Sequence, residues 1–229
     1  MTIKERFKRT IEYFLINRPD AETELRYQDP FELIVATILS AQCTDKRVNM
    51  ITPALLKNFP NAESMSKAKP EEIFEYIKSC SYPNNKAKHL SGMSKMLVTE
   101  FGGKVPSEPH LLQRLPGVGR KTANVVASVI FKKPVMAVDT HVFRVSNRIG
   151  LVRNAKTPLS VENQLSKNIP PELMYRAHHW LILHGRYVCK ARKPLCSQCG
   201  LRDFCKYYQA KNKYIEIHRN KNITETRNI

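Results

Sequence analysis

The chain has 229 residues, 42% of them hydrophobic and 25% charged, which indicates a folded protein with room for a buried core. No apolar run approaches the roughly 20 residues that cross a bilayer, so a membrane-spanning class is excluded. The formal net charge of +18 is far more than solubility needs, and it predicts a polyanionic partner: nucleic acid first, an anionic membrane surface second.

The N-terminal segment MTIKERFKRTIEYFL predicts a short amphipathic helix. It lacks the apolar core and the cleavage site of a secretory signal, so we expect a cytoplasmic protein whose thiols stay reduced. In that setting, the six cysteines indicate metal binding or chemistry rather than disulfides.

Helical periodicity dominates the rest of the chain and strand alternation is scarce, which predicts an all-α fold. The segment 31–42 is nearly all apolar, as a buried central helix would be. Further helices are predicted at 71–80, at 86–101 with Gly102 and Gly103 as its end, at 110–115, at 121–133 with Pro134 as its end, at 140–150 and at 171–189. We expect a short connector at 135–138 and a loosely held polar tail at 211–229.

The stretch LPGVGRKTA, residues 115–123, predicts a tight hairpin between two helices. Gly117 and Gly119 flank Val118, and both can take the positive φ that a tight bend needs. The bare backbone and the N-terminus of the next helix can approach a phosphate, with Arg120 beside them. This predicts a sequence-independent grip on a nucleic-acid backbone, and the alternative is an ordinary helix–turn–helix connection.

Four cysteines follow the last long helix with the spacing C-x6-C-x2-C-x5-C, namely Cys189, Cys196, Cys199 and Cys205. Four thiols within 17 residues predict a metal site, and by spacing alone zinc and iron–sulfur compete. The intervening loop carries Lys190, Arg192 and Lys193, which predicts a second contact surface for a phosphate backbone. Cys43 and Cys80 lie outside the motif, and we interpret them as buried apolar fillers.

The run from residue 1 to 207 resembles the endonuclease III family of helix–hairpin–helix DNA glycosylases, on the strength of the hairpin, AVDTHVFRV (137–145) and the cysteine spacing. The resemblance implies a two-domain all-α fold with a 4Fe-4S cluster on the four cysteines. One domain would be residues 22–133, with its helix–hairpin–helix at about 109–131. The other would join 1–21 to 134–207, and 208–229 would be a tail.

The resemblance also implies roles for three side chains. Lys121 matches the nucleophile, since an amine can attack C1′ of a damaged nucleotide whereas a guanidinium stays protonated. Asp139 matches the catalytic aspartate, and Gln42 matches the residue that fills the hole left by a flipped base. The plainer alternatives are a phosphate contact for Lys121, a helix N-cap for Asp139 and a solvent-facing side chain for Gln42.

The function thus implied is a bifunctional DNA glycosylase and AP lyase that removes oxidised pyrimidines such as thymine glycol. Its partner would be double-stranded DNA with a damaged base or an abasic site, and we expect a monomer at a bacterial nucleoid. A monofunctional adenine or mismatch glycosylase and a non-catalytic DNA-binding module are the alternatives. The loop SYPNNKAK (81–88) departs from the family register, so no single DNA contact is assigned there.

Overall fold

A computed structural model describes residues 1–213 of the chain, and within that range it contains α-helices and 3₁₀ turns but no strand. The predicted all-α class is confirmed. None of the helices in this range combines the length and apolarity that crossing a membrane requires. The helices whose two ends both lie among the described residues are α1 (Ile3–Asn17), α2 (Pro30–Leu39), α3 (Asp45–Asn58), α4 (Ala62–Lys67), α5 (Pro70–Ile77), α6 (Pro83–Phe101), α7 (Pro109–Leu112), α8 (Arg120–Phe131), α9 (Thr140–Ile149), α10 (Pro158–Asn168) and α11 (Met174–Tyr187).

Three of these helices, α3, α4 and α10, fall where no helix is predicted above. Pro53 lies inside α3 and interrupts its sequence pattern, while α4 has only six residues. The helix α8 ends earlier than Pro134, because Lys132 takes a left-handed conformation with φ 52° and caps it. Residues 214–229 of the predicted tail lie outside the described residues.

One compact unit comprises Glu22–Ala137. Its centre is α2, where the consecutive side chains of Leu33, Ile34 and Val35 are fully buried. Asp29 starts this helix by accepting a hydrogen bond from the Glu32 N–H at 2.8 Å. Helix α8 packs against α2, while α6 packs against α4 and α5. The hairpin between α7 and α8 is therefore held by a rigid apolar core.

The other unit joins Met1–Ala21 to the chain from Val138 onward. Helix α1 packs on α11 through Phe14 and Trp180, whose rings stack with centroids 5.6 Å apart. The Trp180 indole N–H donates to the Arg18 carbonyl at 2.7 Å. Buried Arg6 donates to the Ile149 carbonyl at 3.1 Å, at the end of α9. This unit carries Asp139 and the four clustered cysteines.

Candidate functional site

The two glycines of the hairpin differ in whether the surrounding structure requires a residue without a side chain. Gly117 has φ 80°, and a Cβ there would lie 2.8 Å from the Cβ of His89, so only glycine fits. The predicted positive φ at Gly119 is wrong: its φ is −82° and its ψ 176°, the extended N-cap of α8. A Cβ added at Gly119 would meet nothing within 4 Å. Among residues 1–213, no contact requires glycine at 119, and the space beside it is open to a ligand.

The hairpin is fixed from beneath by Val118, whose side chain is 5% exposed and packs in the core. The Val118 N–H donates to the Leu115 carbonyl at 3.0 Å, so that donor is already used. The bend also packs on α6, where Gly92 leaves room for the Pro116 ring. Val118 therefore anchors the bend, whereas the glycines present its backbone.

Lys121 lies exposed in the first turn of α8. The first intrahelical bond runs from the Ala123 N–H to the Gly119 carbonyl at 2.9 Å, so the N–H groups before it have no acceptor within the helix. Together with the positive end of the helix dipole, these donors favour an anion directly beside the amine. Arg120 is also exposed in this turn and adds a second positive charge.

Asp139 is the N-cap of α9, and its Oδ1 accepts a hydrogen bond from the Val142 N–H at 2.8 Å. The half-buried carboxylate also lines an open cavity of about 430 Å³ with Phe143 and Lys156. The capping alternative is thus correct for one oxygen, and the cavity places the same carboxylate at a surface that a ligand can reach. Two residues further on, burial lowers the pKa of His141, with Asp139 acting in the opposite direction.

Gln42 lies exposed just beyond the end of α2, in the left-handed conformation with φ 55°. That conformation costs a residue with a side chain about 1–2 kcal/mol, so it persists only where the surroundings impose it. The Gln42 carbonyl accepts a hydrogen bond from the Ser81 hydroxyl. The ammonium group of Lys86 donates to the Leu39 carbonyl at 2.8 Å and to the Ala41 carbonyl at 2.7 Å. The segment that presents Gln42 is therefore fastened on both sides.

Two residues near Gln42 escaped the sequence prediction. Lys86 is only 5% exposed, and sequence alone does not distinguish it from a surface lysine. Tyr82 is 62% exposed with φ 53°, a bulky aromatic residue in a strained conformation. Because Ser81 bonds the Gln42 carbonyl, the exposed ring of Tyr82 follows directly on a residue that contacts the Gln42 loop. In the sequence, the departure of residues 81–88 from the family register was the signal that could have drawn attention to these two residues.

The four clustered cysteines line one small cavity together with His184 and Leu201. Within residues 1–213, no three Cys, His, Asp or Glu side chains converge as a single metal ion would require. Thiolates placed around a cavity suit a polynuclear cluster, in which each sulfur binds a different iron, better than a tetrahedral zinc site. Burial raises the pKa of the Cys199 thiol to about 11 and also raises that of Cys205, so cluster binding must displace protons there.

Two arginines of α9 hold the cysteine loop, and neither was predicted. Arg144 Nε donates to the Cys189 carbonyl at 3.2 Å. Arg148 donates to the Lys190 carbonyl at 2.7 Å and to the Ala191 carbonyl at 3.0 Å. The helix that begins at Asp139 therefore also supports the metal loop. The side chains of Lys190, Arg192 and Lys193 are all exposed on this loop, as a contact surface for phosphates requires.

Comparison with known proteins identifies two family models. One, the HhH-GPD superfamily base excision DNA repair protein, matches residues 35–171. The other, the iron–sulfur binding domain of endonuclease III, matches residues 189–205, which begin and end on cysteines of the cluster motif.

Individual proteins agree with both matches. Endonuclease III of Rickettsia conorii is 49% identical over 197 residues, covering 86% of this chain and 93% of the relative. Endonuclease III of Escherichia coli is 44% identical, covering 83% and 90%. A solved structure of a trapped endonuclease III–DNA covalent intermediate superposes with a TM-score of 0.87 at 41% identity, covering 92% of this chain and 99% of that one.

Proposed function

Since the chain belongs to the endonuclease III family of helix–hairpin–helix DNA glycosylases, we propose that Lys121 and Asp139 carry out its reaction. The chain is a bifunctional DNA glycosylase and AP lyase for oxidised pyrimidines, and DNA is its partner. Thymine glycol is the lesion that we assign to it, and we propose that it acts as a monomer on DNA in the bacterial nucleoid. The observation that carries the assignment is an exposed lysine in the first turn of a helix whose hairpin leaves room for a phosphate.

Binding begins at the backbone of the damaged strand. A phosphate oxygen approaches the open space at Gly119 and accepts hydrogen bonds from the first turn of α8. Because such contacts ignore base identity, they fix the register of the enzyme on the duplex. The exposed residues Lys190, Arg192 and Lys193 add charge contacts to the backbone. Gln42, held in its strained conformation, fills the space that the flipped nucleotide leaves.

The amine of Lys121 then attacks C1′ of the extruded nucleotide. The N–C1′ bond forms as the bond to the damaged base breaks, and the sugar ring opens to a protonated Schiff base. Loss of a proton from C2′ expels the 3′ phosphate, which is the β-elimination step. Hydrolysis of the remaining imine returns the lysine. The covalent endonuclease III–DNA intermediate trapped for the 41% identical relative supports this route.

Asp139 supplies negative charge to these reaction steps. One carboxylate oxygen is held by the Val142 N–H, which fixes the side chain at the start of α9. The carboxylate stabilises the positive charge that develops on the sugar as the base departs, and it acts as the general base that leaves the lysine as a free amine before the attack.

The chain carries a 4Fe-4S cluster, and we assign Cys189, Cys196, Cys199 and Cys205 as its ligands. When bound, the cluster cross-links the loop at four points and so fixes its fold. Arg144 and Arg148 of α9 also hold that loop through hydrogen bonds to its carbonyls. These bonds support the surface on which the three basic side chains of the loop are exposed.

The structure speaks against the adenine glycosylase alternative, whose catalytic glutamate would lie on the helix that matches α2. The only carboxylate of α2 is Glu32 in its first turn, and this side chain accepts a hydrogen bond from the Gln28 N–H at 2.6 Å. A binding module without catalysis would account for the hairpin and the net charge, but it would give no reason for the occurrence of Lys121 together with Asp139.

The test is borohydride trapping on a duplex with one thymine glycol. Hydride reduces the C=N bond of a Schiff base, so wild type should form a covalent protein–DNA adduct and Lys121→Gln should form none. Lys57→Gln is the matched control, because Lys57 is an exposed lysine on α3, a helix that packs on α2 and α5, and its loss removes the same charge. The absence of an adduct with wild type, on this duplex and on one with a bare abasic site, would refute the lyase assignment.

A further inference from the structure

Two thiols lie beneath the segment that presents Gln42. Cys80 is 5% exposed, whereas Cys43 is half-buried and packs against the same core cluster. Cys43 and Cys80 lie on two segments that the hydrogen bond from the Ser81 hydroxyl to the Gln42 carbonyl holds together, and their thiols are near enough to interact. Cys80 Sγ also donates to the Leu39 carbonyl at 3.4 Å. The interpretation of both residues as buried fillers is therefore incomplete, because they are neighbouring thiols of which one reaches the surface.

A cation completes this group. The ammonium group of Lys86 lies 3.6 Å from Cys80 Sγ and donates to the carbonyls on either side of the α2 terminus. Burial raises the pKa of Cys80, and Lys86 opposes that effect. Cys43 is consequently the thiol that a small reagent meets first, and Cys80 is the thiol whose ionised form has a positive partner inside the protein.

We propose that Cys43 and Cys80 form a reversible disulfide that controls DNA binding through the Gln42 loop. The oxidant is a low-molecular-weight disulfide of the glutathione type. The Cys43 thiolate attacks one of its sulfurs and releases one thiolate, giving a mixed disulfide. The Cys80 thiolate, stabilised by Lys86, then attacks the Cys43 sulfur and expels the second thiolate. Two protein thiols are oxidised, one reagent disulfide is reduced to two thiols, and no other reactant is needed.

The consequence for DNA follows from the position of the pair. The two sulfurs must close to about 2.05 Å, which draws residue 43 toward residue 80. The same step removes the Cys80 S–H that donates to Leu39. Both changes act on residues 39–43, where Gln42 already holds a strained conformation. A misplacement of about 1 Å at a functional group can lower a reaction rate about 100-fold. For a comparable displacement of Gln42, we expect roughly a tenfold loss of DNA affinity.

The experiment uses the full chain with its cluster, equilibrated over a series of glutathione disulfide to glutathione ratios. After alkylation and tryptic digestion, the disulfide links the peptides 27–46 and 79–86, each of which contains one cysteine. The linked species should appear as the ratio rises and disappear with dithiothreitol. In parallel, fluorescence anisotropy measures binding to a duplex with a tetrahydrofuran abasic analogue, while visible absorbance confirms that the cluster is intact.

Cys43→Ser and Cys80→Ala separate the pair from the cluster ligands. Either variant should keep its DNA affinity at the ratios of glutathione disulfide to glutathione at which wild type loses affinity. Absence of the linked peptides, unchanged affinity in the linked protein, or an equal loss of affinity in Cys43→Ser would each overturn the proposal. The binding arm depends on the proposed function and the peptide arm does not. If reduced wild type fails to bind the duplex, the proposed function fails, whereas the linkage is still measured.

Discussion

Gly119→Ala should weaken DNA binding by tenfold or more while leaving the fold intact. Its backbone conformation, φ −82° and ψ 176°, is open to alanine, and the new methyl group meets nothing within 4 Å. Loss of unfolded-chain freedom stabilises the variant by about 0.4–1 kcal/mol. Alanine is a poorer N-cap than glycine, and this costs a comparable amount. We therefore expect the free energy of unfolding to change by less than about 0.5 kcal/mol.

The binding estimate rests on the same open space. A methyl group at 119 occupies the room through which a phosphate oxygen reaches the first turn of α8. Loss of one hydrogen bond to a charged group costs about 1.5–3 kcal/mol, which is roughly 10- to 100-fold in Kd. Anisotropy with the tetrahydrofuran duplex measures Kd, and urea unfolding measures stability.

Gly117→Ala is the contrasting variant. Its φ of 80° costs alanine about 1–2 kcal/mol. The contact of 2.8 Å with His89 Cβ adds about 1–3 kcal/mol of overpacking. This variant should lose about 2–5 kcal/mol of stability. If Gly119→Ala binds DNA as wild type does, or is destabilised as much as Gly117→Ala, the assignment of the space beside 119 to a phosphate is wrong.

Three further predictions concern other parts of the site. Asp139→Asn keeps the helix cap, so its unfolding free energy should stay within about 0.5 kcal/mol of wild type, while single-turnover cleavage should slow by about 100-fold or more. Asp139→Ala should slow cleavage in the same way and should also lose about 1 kcal/mol of stability. An Asn variant that cleaves as fast as wild type would contradict the electrostatic role. Lys86→Met leaves the Leu39 and Ala41 carbonyls without their donor, so urea unfolding should show a loss of about 2–4 kcal/mol, and an unchanged value would mean that water replaces the ammonium group. Because burial lowers the pKa of His141 below its ordinary 6.5, its contribution to stability is complete above pH 6.5 and is lost as the pH falls toward the folded value; His141→Gln should therefore unfold with a smaller pH dependence below pH 6.5, and an identical slope would refute this.

Features that depend on local chain chemistry were predictable from sequence. The positive φ of Gly117, the N-cap at Asp139 and the cysteine spacing could be predicted because each depends on residues that are only a few positions apart in the chain. The end of α6 at Gly102 and of α9 at Gly150 was predictable for the same reason, since both glycines take left-handed conformations.

Features that depend on tertiary packing were not predictable. Gly119 flanks Val118 as Gly117 does, yet its backbone is extended because it is the N-cap of α8, whereas Gly117 takes a positive φ and lies against His89 of α6. Nothing in NNKAK marks Lys86 as buried, since its partners are carbonyls 45 and 47 residues away. Arg144 and Arg148 bond carbonyls of the cysteine loop over similar separations. Helix α3 was not predicted, because a proline inside a helix, here Pro53, disfavours that helix. The tertiary fold nevertheless supports it.

The packing of α1 on α11 has a consequence for biosynthesis. The Arg18 carbonyl and the Trp180 indole are 162 residues apart in the chain. At about 5–20 residues per second, the ribosome needs roughly 8–30 s to make the second partner after the first. During that time the unit from Glu22 to Ala137 can fold, whereas Phe14 of α1 still lacks the Trp180 ring on which it stacks. The nascent N-terminus is therefore where we expect chaperones to act, and iron can be loaded only after the segment that ends with Cys205 has left the exit tunnel.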